Sequence, residues 1–297
     1  MPSENRAHSK LHHVTIGDVL IVAFLTLLTF SMFYPFLNLV FQSLSTNAAI
    51  TKAEGMMLWP SEITFDNYRY VFHYNNVWQS YKNTIFITII GTSLSLVLTT
   101  MGGYALSKKD LPFRLPMTIY VLITMFINGG LIPTYLNLRN LGFLNTLWVM
   151  IIPDTISVSN LLLMRNFFMA QPEELKESAY IDGASEFRTL ISIVLPLSTA
   201  ILATMTLFYG VSNWNEYTAA ILYNHESKYY PIQVILNRMY KNSMQMVMED
   251  EYLLSKPPAS DAVRAATVIF ATFPIMCSYP FLQKYFAKGI MVGSLKG

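Results

Sequence analysis

The 297-residue chain has little charge and a single cysteine, and both shortages limit what it can be. Only 13% of its residues are Asp, Glu, Lys or Arg, roughly half the share of a typical soluble domain. The formal charge is +2 and the basic residues are dispersed, which argues against binding to nucleic acid. Because Cys277 has no partner in the sequence, the chain can form neither an intrachain disulfide nor a multi-cysteine metal site.

The chain also lacks the short motifs of the common catalytic and nucleotide-binding sites. It contains no GxxxxGK[ST] phosphate loop, no HExxH zinc motif and no GxSxG nucleophile motif. We therefore predict no catalytic residue, no metal site and no cofactor bound by this chain. His8, His12 and His13 in the N-terminal tail are compatible with a metal site, but we favour a solvated tail.

Apolar residues, by contrast, make up 53% of the chain and gather in six long segments. A helix needs about 20 apolar residues to cross the roughly 30 Å hydrocarbon core of a bilayer. Since no water satisfies backbone polar groups there, such segments form helices. We predict an all-α membrane protein with six transmembrane helices, at residues 17 to 43, 80 to 105, 114 to 137, 145 to 166, 195 to 217 and 262 to 283.

The distribution of Lys and Arg among the loops predicts the orientation of these spans, because cytoplasmic loops are enriched in both residues. Eleven of them lie in or beside the loops of one side, against seven in the longer loops of the other side. This bias predicts that both termini are cytoplasmic. The predicted organisation is a cytoplasmic tail at 1–16, a membrane domain at 17–283 and a second tail at 284–297, with outer loops at 44–79 and 218–261 and a cytoplasmic loop at 167–194.

A charged, amphipathic stretch at residues 171–196 interrupts the apolar pattern. Pro172 suits the first turn of a helix, and Gly183 can adopt the left-handed backbone that ends one. Ser185 can then cap a second helix whose apolar positions share a face. The pattern predicts a helix, a turn and a second helix, and it is also compatible with an ordinary solvated loop. The predicted apolar face consists of Phe187, Leu190, Ile191 and Val194.

The spacing within this stretch resembles the EAA loop, E-A-A-x3-G-x9-I-x-L-P, of bacterial ABC importer permeases. Glu177, Ser178, Ala179 and Gly183 match its first part, with Ser in place of one Ala, and residues 193–196 match its end. In that family the loop is a cytoplasmic coupling helix that seats in a cleft of the ATPase subunit. The resemblance therefore implies two ATPase partner subunits, which would bind ATP and Mg, and a coupling role for Glu174, Glu177, Ala179, Asp182, Gly183 and Ala184.

Residues 126–168 resemble carbohydrate-uptake permeases of the maltose-importer type. The strings GGLIPTY and LGFLNT look most like the subgroup that carries complex oligosaccharides, including those from plant or algal polyuronides. The resemblance implies a type I importer fold in the bacterial cytoplasmic membrane, a second homologous permease chain and an oligosaccharide substrate. It also implies a solute-binding protein outside, which the second outer loop would contact through Tyr223, Tyr229, Tyr230, Met239, Tyr240, Met244, Met246 and Met248.

Polar residues at the end of the fifth predicted span are our first candidates for a sugar path. Asn213, Trp214, Asn215 and Glu216 place a flat aromatic ring beside hydrogen-bonding groups, which suits a sugar. Ionisable groups at membrane depth are costly and are often functional. The alternative is an interfacial belt at the membrane boundary.

Three further polar residues are weaker candidates for this path. Asn128 begins an Asn-Gly-Gly run, which indicates either a pathway lining or a helix that ends early. Asp154 lies in the fourth span, where it could also cap a helix after Pro153, and Asn160 follows it. The rival function is an ion-gradient-driven transporter or channel, but the chain shows no obvious inverted repeat and no series of intramembrane carboxylates.

Overall fold

The computed structural model of the protein describes residues 15–249 and 260–294, which contain helices and no β-strand. The all-α prediction is confirmed for these residues. The helices are α1 (Ile16–Ser43), α2 (Asn47–Lys52), α3 (Asp66–His73), α4 (Val77–Ser107), α5 (Arg114–Phe126), α6 (Leu131–Asn140), α7 (Val158–Met169), α8 (Glu174–Ile181), α9 (Glu186–Thr189), α10 (Leu195–Leu197), α11 (Thr199–Trp214), α12 (Thr218–Tyr223), α13 (Ile232–Glu249) and α14 (Ser260–Ser294). Short 3-10 helices span Leu147–Met150 and Ser227–Tyr229, and a π-helix spans Leu190–Val194.

Three helices are long and apolar enough to cross a membrane, namely α1, α4 and the Asp261–Ser278 part of α14. α1 begins at a capping box, in which the Asp18 carboxylate accepts from the Thr15 N–H at 2.9 Å and the Thr15 hydroxyl accepts from the Asp18 N–H. Beyond this cap, α1 is apolar on all sides and the side chains of its first half are exposed. A helix with an apolar surface on all sides is typical of a membrane span.

Two of the other predicted spans are bent. α5 and α6 meet at 110°, and the helical segments Glu186–Leu197 and Thr199–Trp214 meet at 86°. At the first bend, Gly130 has φ +87° and its N–H donates to the side-chain oxygen of Asn128 at 2.8 Å. The helix predicted over residues 114–137 is therefore interrupted at the Asn-Gly-Gly run. If each bent pair is one span, the described residues contain up to five candidate spans.

The structure does not form the single helix predicted over residues 145–166. The chain forms the 3-10 helix at Leu147–Met150, turns at Pro153, and starts α7 only at Val158, where Ser157 is the cap. Pro153 lacks the N–H that a continuing helix would need. α7 has 12 residues, which is about 18 Å at 1.5 Å per residue, so it is too short to cross the hydrocarbon core alone.

Much of the predicted outer loop at 218–261 is also helical, because it contains α12 and α13. Tyr223, Tyr230 and Met239 are buried in the core, so the expectation that they form an exposed contact surface is wrong. Tyr229 and Tyr240 remain partly exposed. The side chains of Met244, Met246 and Met248 lie outside the described residues.

α4 is the helix against which α7 and α11 pack, and small residues permit the close contact. A Cβ added at Gly103 would lie 3.0 Å from Met164 Cγ and 3.2 Å from the backbone nitrogen of Arg165 on α7. A Cβ added at Gly91 would lie 2.9 Å from the amide nitrogen of Asn213 on α11. The two glycines therefore set the distance between α4 and its neighbours.

The outer surface of α4 also holds the segment that leads into α13. Asn83 is buried, and its amide donates to the carbonyls of Lys228 at 2.8 Å and Tyr230 at 3.0 Å. At the next residue of α4, the Thr84 hydroxyl accepts from the Ile232 N–H at 2.8 Å. α4 thus contacts the second predicted outer loop as well as the helices around it.

Candidate functional site

The stretch that resembles an EAA loop folds as two short helices, α8 and α9, joined by a tight turn. α8 ends in a Schellman motif, in which the Ala184 N–H donates to the Ala179 carbonyl at 2.9 Å and the Gly183 N–H donates to the Tyr180 carbonyl at 3.0 Å. Gly183 has φ +75°, which confirms the predicted left-handed glycine. An added Cβ would meet nothing within 4 Å. The turn therefore needs glycine for its backbone conformation rather than for a close contact.

The second helix of this stretch is capped as predicted but buries only half of its apolar face. The Ser185 side chain caps α9. Leu190 and Val194 are buried, whereas Phe187 is 64% exposed and Ile191 is 47% exposed, so the four apolar positions predicted to share a face divide between the core and the surface. An apolar helical stripe is about 100° wide, and only the Leu190–Val194 edge of this one meets the core of the chain.

The six predicted coupling residues differ in their burial. Ala179 is buried and packs inward, Ala184 is partly buried, and the other four are exposed. On the exposed side, three carboxylates lie in the same segment as three apolar side chains. We call this set the coupling surface, and it consists of Glu174, Glu177, Ile181, Asp182, Phe187 and Ile191.

Four side chains attach this segment to the end of α4, and we call them the α4 cluster. The Glu186 carboxylate accepts hydrogen bonds from the Tyr104 and Tyr180 hydroxyls, each at 3.0 Å, and forms an ion pair with Lys108. The Lys108 ammonium also donates to the Tyr180 hydroxyl at 2.6 Å. Burial disfavours both charges, but these bonds outweigh it, so they lower the pKa of Glu186 and raise the pKa of Lys108. No sequence pattern pairs Lys108 with Glu186, and Lys108 had counted only toward the orientation of the spans.

Four of the seven predicted path residues line one cavity of about 940 Å³ beside α7 and α11. Asn160 lies on α7 and Asn213 on α11, while Asp154 precedes α7 and Glu216 follows α11. The Glu216 carboxylate accepts from the Ala219 N–H at 2.8 Å, at the start of α12. The structure therefore joins residues that are far apart in the sequence.

Hydroxyl groups complete the lining of this cavity. The Tyr209 hydroxyl lies 2.6 Å from the Thr99 hydroxyl on α4 and accepts from the Ser157 N–H at 3.3 Å. Tyr209, Ser157 and Ser212 all border the cavity. Sequence patterns did not single them out, because hydroxyls in apolar helices usually bond to their own backbone. With two carboxylates, two amides and several hydroxyls, the cavity suits a ligand rich in hydroxyl groups.

The other three predicted path residues do not line this cavity. Trp214 is buried, its indole N–H donates to the Ala271 carbonyl at 3.0 Å, and its ring packs edge-on against Tyr81. It borders a separate cavity of about 430 Å³. Asn215 accepts a hydrogen bond from α13 at 3.1 Å, and Asn128 lies in the break between α5 and α6. These contacts indicate structural roles for Trp214 and Asn215.

The structure offers no candidate metal centre within residues 15–249 and 260–294, where no three His, Cys, Asp or Glu residues lie together. His8, His12 and His13 lie outside the described residues. That the chain binds no metal and no cofactor stays a prediction.

Comparison with known proteins identifies the relatives of the chain. Residues 110–292 match the family described as the binding-protein-dependent transport system inner membrane component. The chain is 38% identical over 282 residues to the polygalacturonan/rhamnogalacturonan transport system permease protein YtcP of Bacillus subtilis (strain 168), covering 94% of this chain and 98% of that protein. It is also 38% identical over 263 residues to protein LplC of the same organism, covering 89% of each.

The fold is that of a solved importer chain. A chain in the crystal structure of a bacterial ABC transporter involved in the import of the acidic polysaccharide alginate superposes with a TM-score of 0.80 and 30% identity, over 96% of this chain and 100% of that one. This likeness confirms the predicted type I importer permease fold. The count of six spans and the cytoplasmic position of the termini stay predictions. From the family match and these relatives together, the chain belongs to the binding-protein-dependent transport system inner membrane components, the permeases of ABC importers.

Proposed function

We propose that this chain is one of two membrane subunits of an ATP-driven importer that carries an oligosaccharide into a bacterial cell. ATP and Mg bind to two ATPase subunits, and the closure of those subunits is transmitted through residues 171–196. The observation that carries the proposal is the coupling surface, where exposed carboxylates and apolar side chains are presented by a turn closed through Gly183. Ile181, Phe187 and Ile191 remain exposed within an otherwise charged segment, so they are available for contact with another protein.

The architecture that accompanies this function has six membrane crossings, with both termini and residues 167–194 on the cytoplasmic side of the cell membrane. The sixth crossing requires that residues 145–169 act together, bent at Pro153, as one span. A second, homologous permease completes the bundle, and a solute-binding protein docks on the opposite side. Loop 44–79 supports that docking, because Leu58, Trp59 and Phe65 are exposed there.

The cargo is an oligosaccharide derived from an acidic plant or algal polysaccharide. The names of two similar proteins support this, since one relative transports polygalacturonan or rhamnogalacturonan and the solved importer takes alginate. The amide and hydroxyl groups of the cavity of about 940 Å³ supply suitable hydrogen-bonding partners. Asp154 and Glu216 would repel a uronate at short range, by about 1 kcal/mol at 4 Å in water. We therefore expect Asp154→Asn to favour acidic over neutral oligosaccharides in competition uptake assays, and an unchanged preference would remove Asp154 from the path.

The test of coupling compares two glycines that share the same backbone conformation. Gly183 has φ +75° and Gly142 has φ +74°, and an added Cβ meets nothing within 4 Å at either position. Valine at a left-handed position costs roughly 1–2 kcal/mol of strain. In vesicles reconstituted with the ATPase, the second permease and the binding protein, Gly183→Val should increase the ATP hydrolysed per sugar imported, whereas Gly142→Val should not. Equal coupling in both variants would contradict the proposed role of residues 171–196.

The same vesicles separate this function from the rival one. Uptake should require ATP inside the compartment that holds the ATPase, and it should not respond to an imposed proton or sodium gradient. Uptake driven by such a gradient without ATP would favour a secondary transporter instead.

A further inference from the structure

We call residues 171–196 the coupling segment, and it touches the end of α4 in a contact to which the family comparison assigns no role. We propose that the α4 cluster, Tyr104, Lys108, Tyr180 and Glu186, is a positioning device that transmits movement of the coupling segment to α4 and so to the cavity. This inference rests on the proposed function. Its members are positioning residues, because they act through α4 and do not line the cavity.

The first step is that the cluster holds α8 and α9 against α4 as one body. Glu186 collects three partners on a single carboxylate oxygen, the two tyrosine hydroxyls at 3.0 Å each and the Lys108 ammonium. The ammonium also lies over the rings of Tyr104 and Tyr180, 5.2 and 5.0 Å from their centroids. Hydrogen bonds to charged groups are stronger than neutral ones, and a network restricts more movement than a single pair does.

The second step concerns burial, which distinguishes this ion pair from its neighbour. The Lys108 side chain is only 17% exposed, although the side chain of its partner Glu186 is 58% exposed. Lys109 and Glu173 join the same two segments at 2.5 Å, but their side chains are 72% and 55% exposed. Exposed pairs are screened by water and restrain little. The two carboxylates are about equally exposed, so the Lys108 pair is the stronger constraint because its lysine is shielded and because two tyrosine hydroxyls bond to it.

The third step leads from the cluster to the cavity. α4 ends at its C-cap, Lys108, and runs without a break to the contacts with α11, which lie about 14 Å from Lys108 at Thr99 and about 24 Å from it at Thr92, at 1.5 Å per residue. There, the Thr99 hydroxyl meets the Tyr209 hydroxyl at 2.6 Å, and the Thr92 hydroxyl accepts from the Asn213 amide at 3.2 Å. Tyr209 and Asn213 both line the cavity.

The covalent route from the coupling segment to α11 is less direct. After α9 the chain forms the π-helix at Leu190–Val194 and then bends by 86° before α11. A bend of this size can absorb a displacement that a straight helix would transmit. The cluster therefore provides a route through α4 that bypasses the bend.

Continuity of contacts is not itself coupling, so the test is a double-mutant cycle on the complete transporter. The variants are Lys108→Met, Glu186→Gln and the pair of both, with Lys109→Met as the matched control at the exposed pair. The measurements are sugar imported and ATP hydrolysed per complex, together with the yield and melting temperature of the assembled complex. We expect Lys108→Met and Glu186→Gln each to lower the sugar imported per ATP roughly threefold to tenfold. The double variant should lose no more than the worse of the two single variants. Lys109→Met should import as much sugar per ATP as the wild type.

Two variants with smaller changes in the same cluster test the inference if the complex with Lys108→Met does not assemble. Tyr104→Phe and Tyr180→Phe each remove one oxygen, and both should lower the sugar imported per ATP while the melting temperature changes little. The inference would be overturned if the sugar imported per ATP were unchanged in all these variants, or if Lys109→Met lowered it as much as Lys108→Met. Strictly additive effects of Lys108→Met and Glu186→Gln in the double variant would also overturn it. If the wild-type chain itself imports sugar without ATP, the proposed function fails instead, so the two failures are distinguishable.

Discussion

We expect Gly91→Ala to disturb the contact between α4 and α11 and to displace a side chain of the cavity. An added Cβ would lie 2.9 Å from the amide nitrogen of Asn213 and 3.1 Å from its Cγ, closer than packed side chains approach. The amide must therefore move, and its nitrogen is the atom that donates to the Thr92 hydroxyl at 3.2 Å. Because Asn213 lines the cavity, the change should reach the proposed sugar path.

The expected loss of stability follows from two costs and one gain. Overpacking costs about 1–3 kcal/mol and the lost hydrogen bond about 0.5–1.5 kcal/mol, while alanine in a helix is better than glycine by about 1 kcal/mol. The free energy of unfolding should therefore fall by about 0.5–3.5 kcal/mol. Gly210→Ala is the matched control, since Gly210 lies on α11 and its added Cβ would be 3.9 Å from the Thr92 hydroxyl, an ordinary contact. In Gly210→Ala the only expected contribution is the gain in helix propensity, so its free energy of unfolding should not fall.

The assay is the melting temperature of the assembled complex in detergent, followed by uptake in reconstituted vesicles. Gly91→Ala should melt below the wild type and import less sugar per complex, whereas Gly210→Ala should melt at or above the wild type and import normally. If Gly91→Ala melts as high as Gly210→Ala, the close contact with Asn213 does not limit the packing of α4 against α11, and the reasoning is refuted.

Three other outcomes test the described contacts. Since the pKa of Glu186 is lowered and that of Lys108 is raised, both groups are charged throughout the range between their unfolded values of about 4.3 and 10.4. The sugar imported per ATP should therefore be constant from about pH 5.5 to 8.5, and a midpoint inside that window would point to a different group. Trp214→Phe removes the indole donor from the Ala271 carbonyl and should destabilise the complex by about 0.5–1.5 kcal/mol in thermal melts, with normal uptake per folded complex. Reduced uptake at full stability would instead place Trp214 in the sugar path. Asn83→Ala removes the amide that donates to the carbonyls of Lys228 and Tyr230 before α13, so proteases should cleave this segment faster than in the wild type. Equal rates of cleavage would show that the hydrogen bonds from Asn83 are not needed to hold it.

Features of the fold that depend on local sequence were predictable. The turn at Gly183 follows from the tolerance of glycine for positive φ, and the spans of α1 and α4 follow from apolar length alone. The division of the fourth predicted span was missed because average hydropathy takes no account of the N–H that Pro153 lacks. α13 was missed although its buried residues Ile232, Ile235, Leu236 and Met239 recur at helical spacing, which is a signal for a packed helix.

The candidate site was only partly predictable, since its geometry depends on tertiary packing. Polar residues at membrane depth singled out Asp154 and Glu216, but their meeting in one cavity results from the way α7 and α11 pack on α4. For Trp214, the sequence cannot tell whether the indole N–H faces a sugar or a protein carbonyl, and the structure places it on Ala271. The partners of Glu186 come from two separate segments of the chain, so only the folded structure reveals them.

The packing of α1 has a consequence for biogenesis. The half of α1 that contains Pro35, Asn38 and Gln42 lies beside the start of α14, near Asp261 and Arg264, and α1 contacts α14 more than any other helix. A ribosome therefore delivers α1 to the membrane more than 200 residues before its main protein neighbour exists. During that interval the exposed first half of α1 has lipid as its support, while Asn38 and Gln42 near its end bond to residues 55–57. Its capping box and the apolar surface of its first half allow it to stand as a helix without α14. A nascent chain stopped before residue 260 would hold α1 in the bilayer without its partner, open to quality-control proteases until α14 arrives.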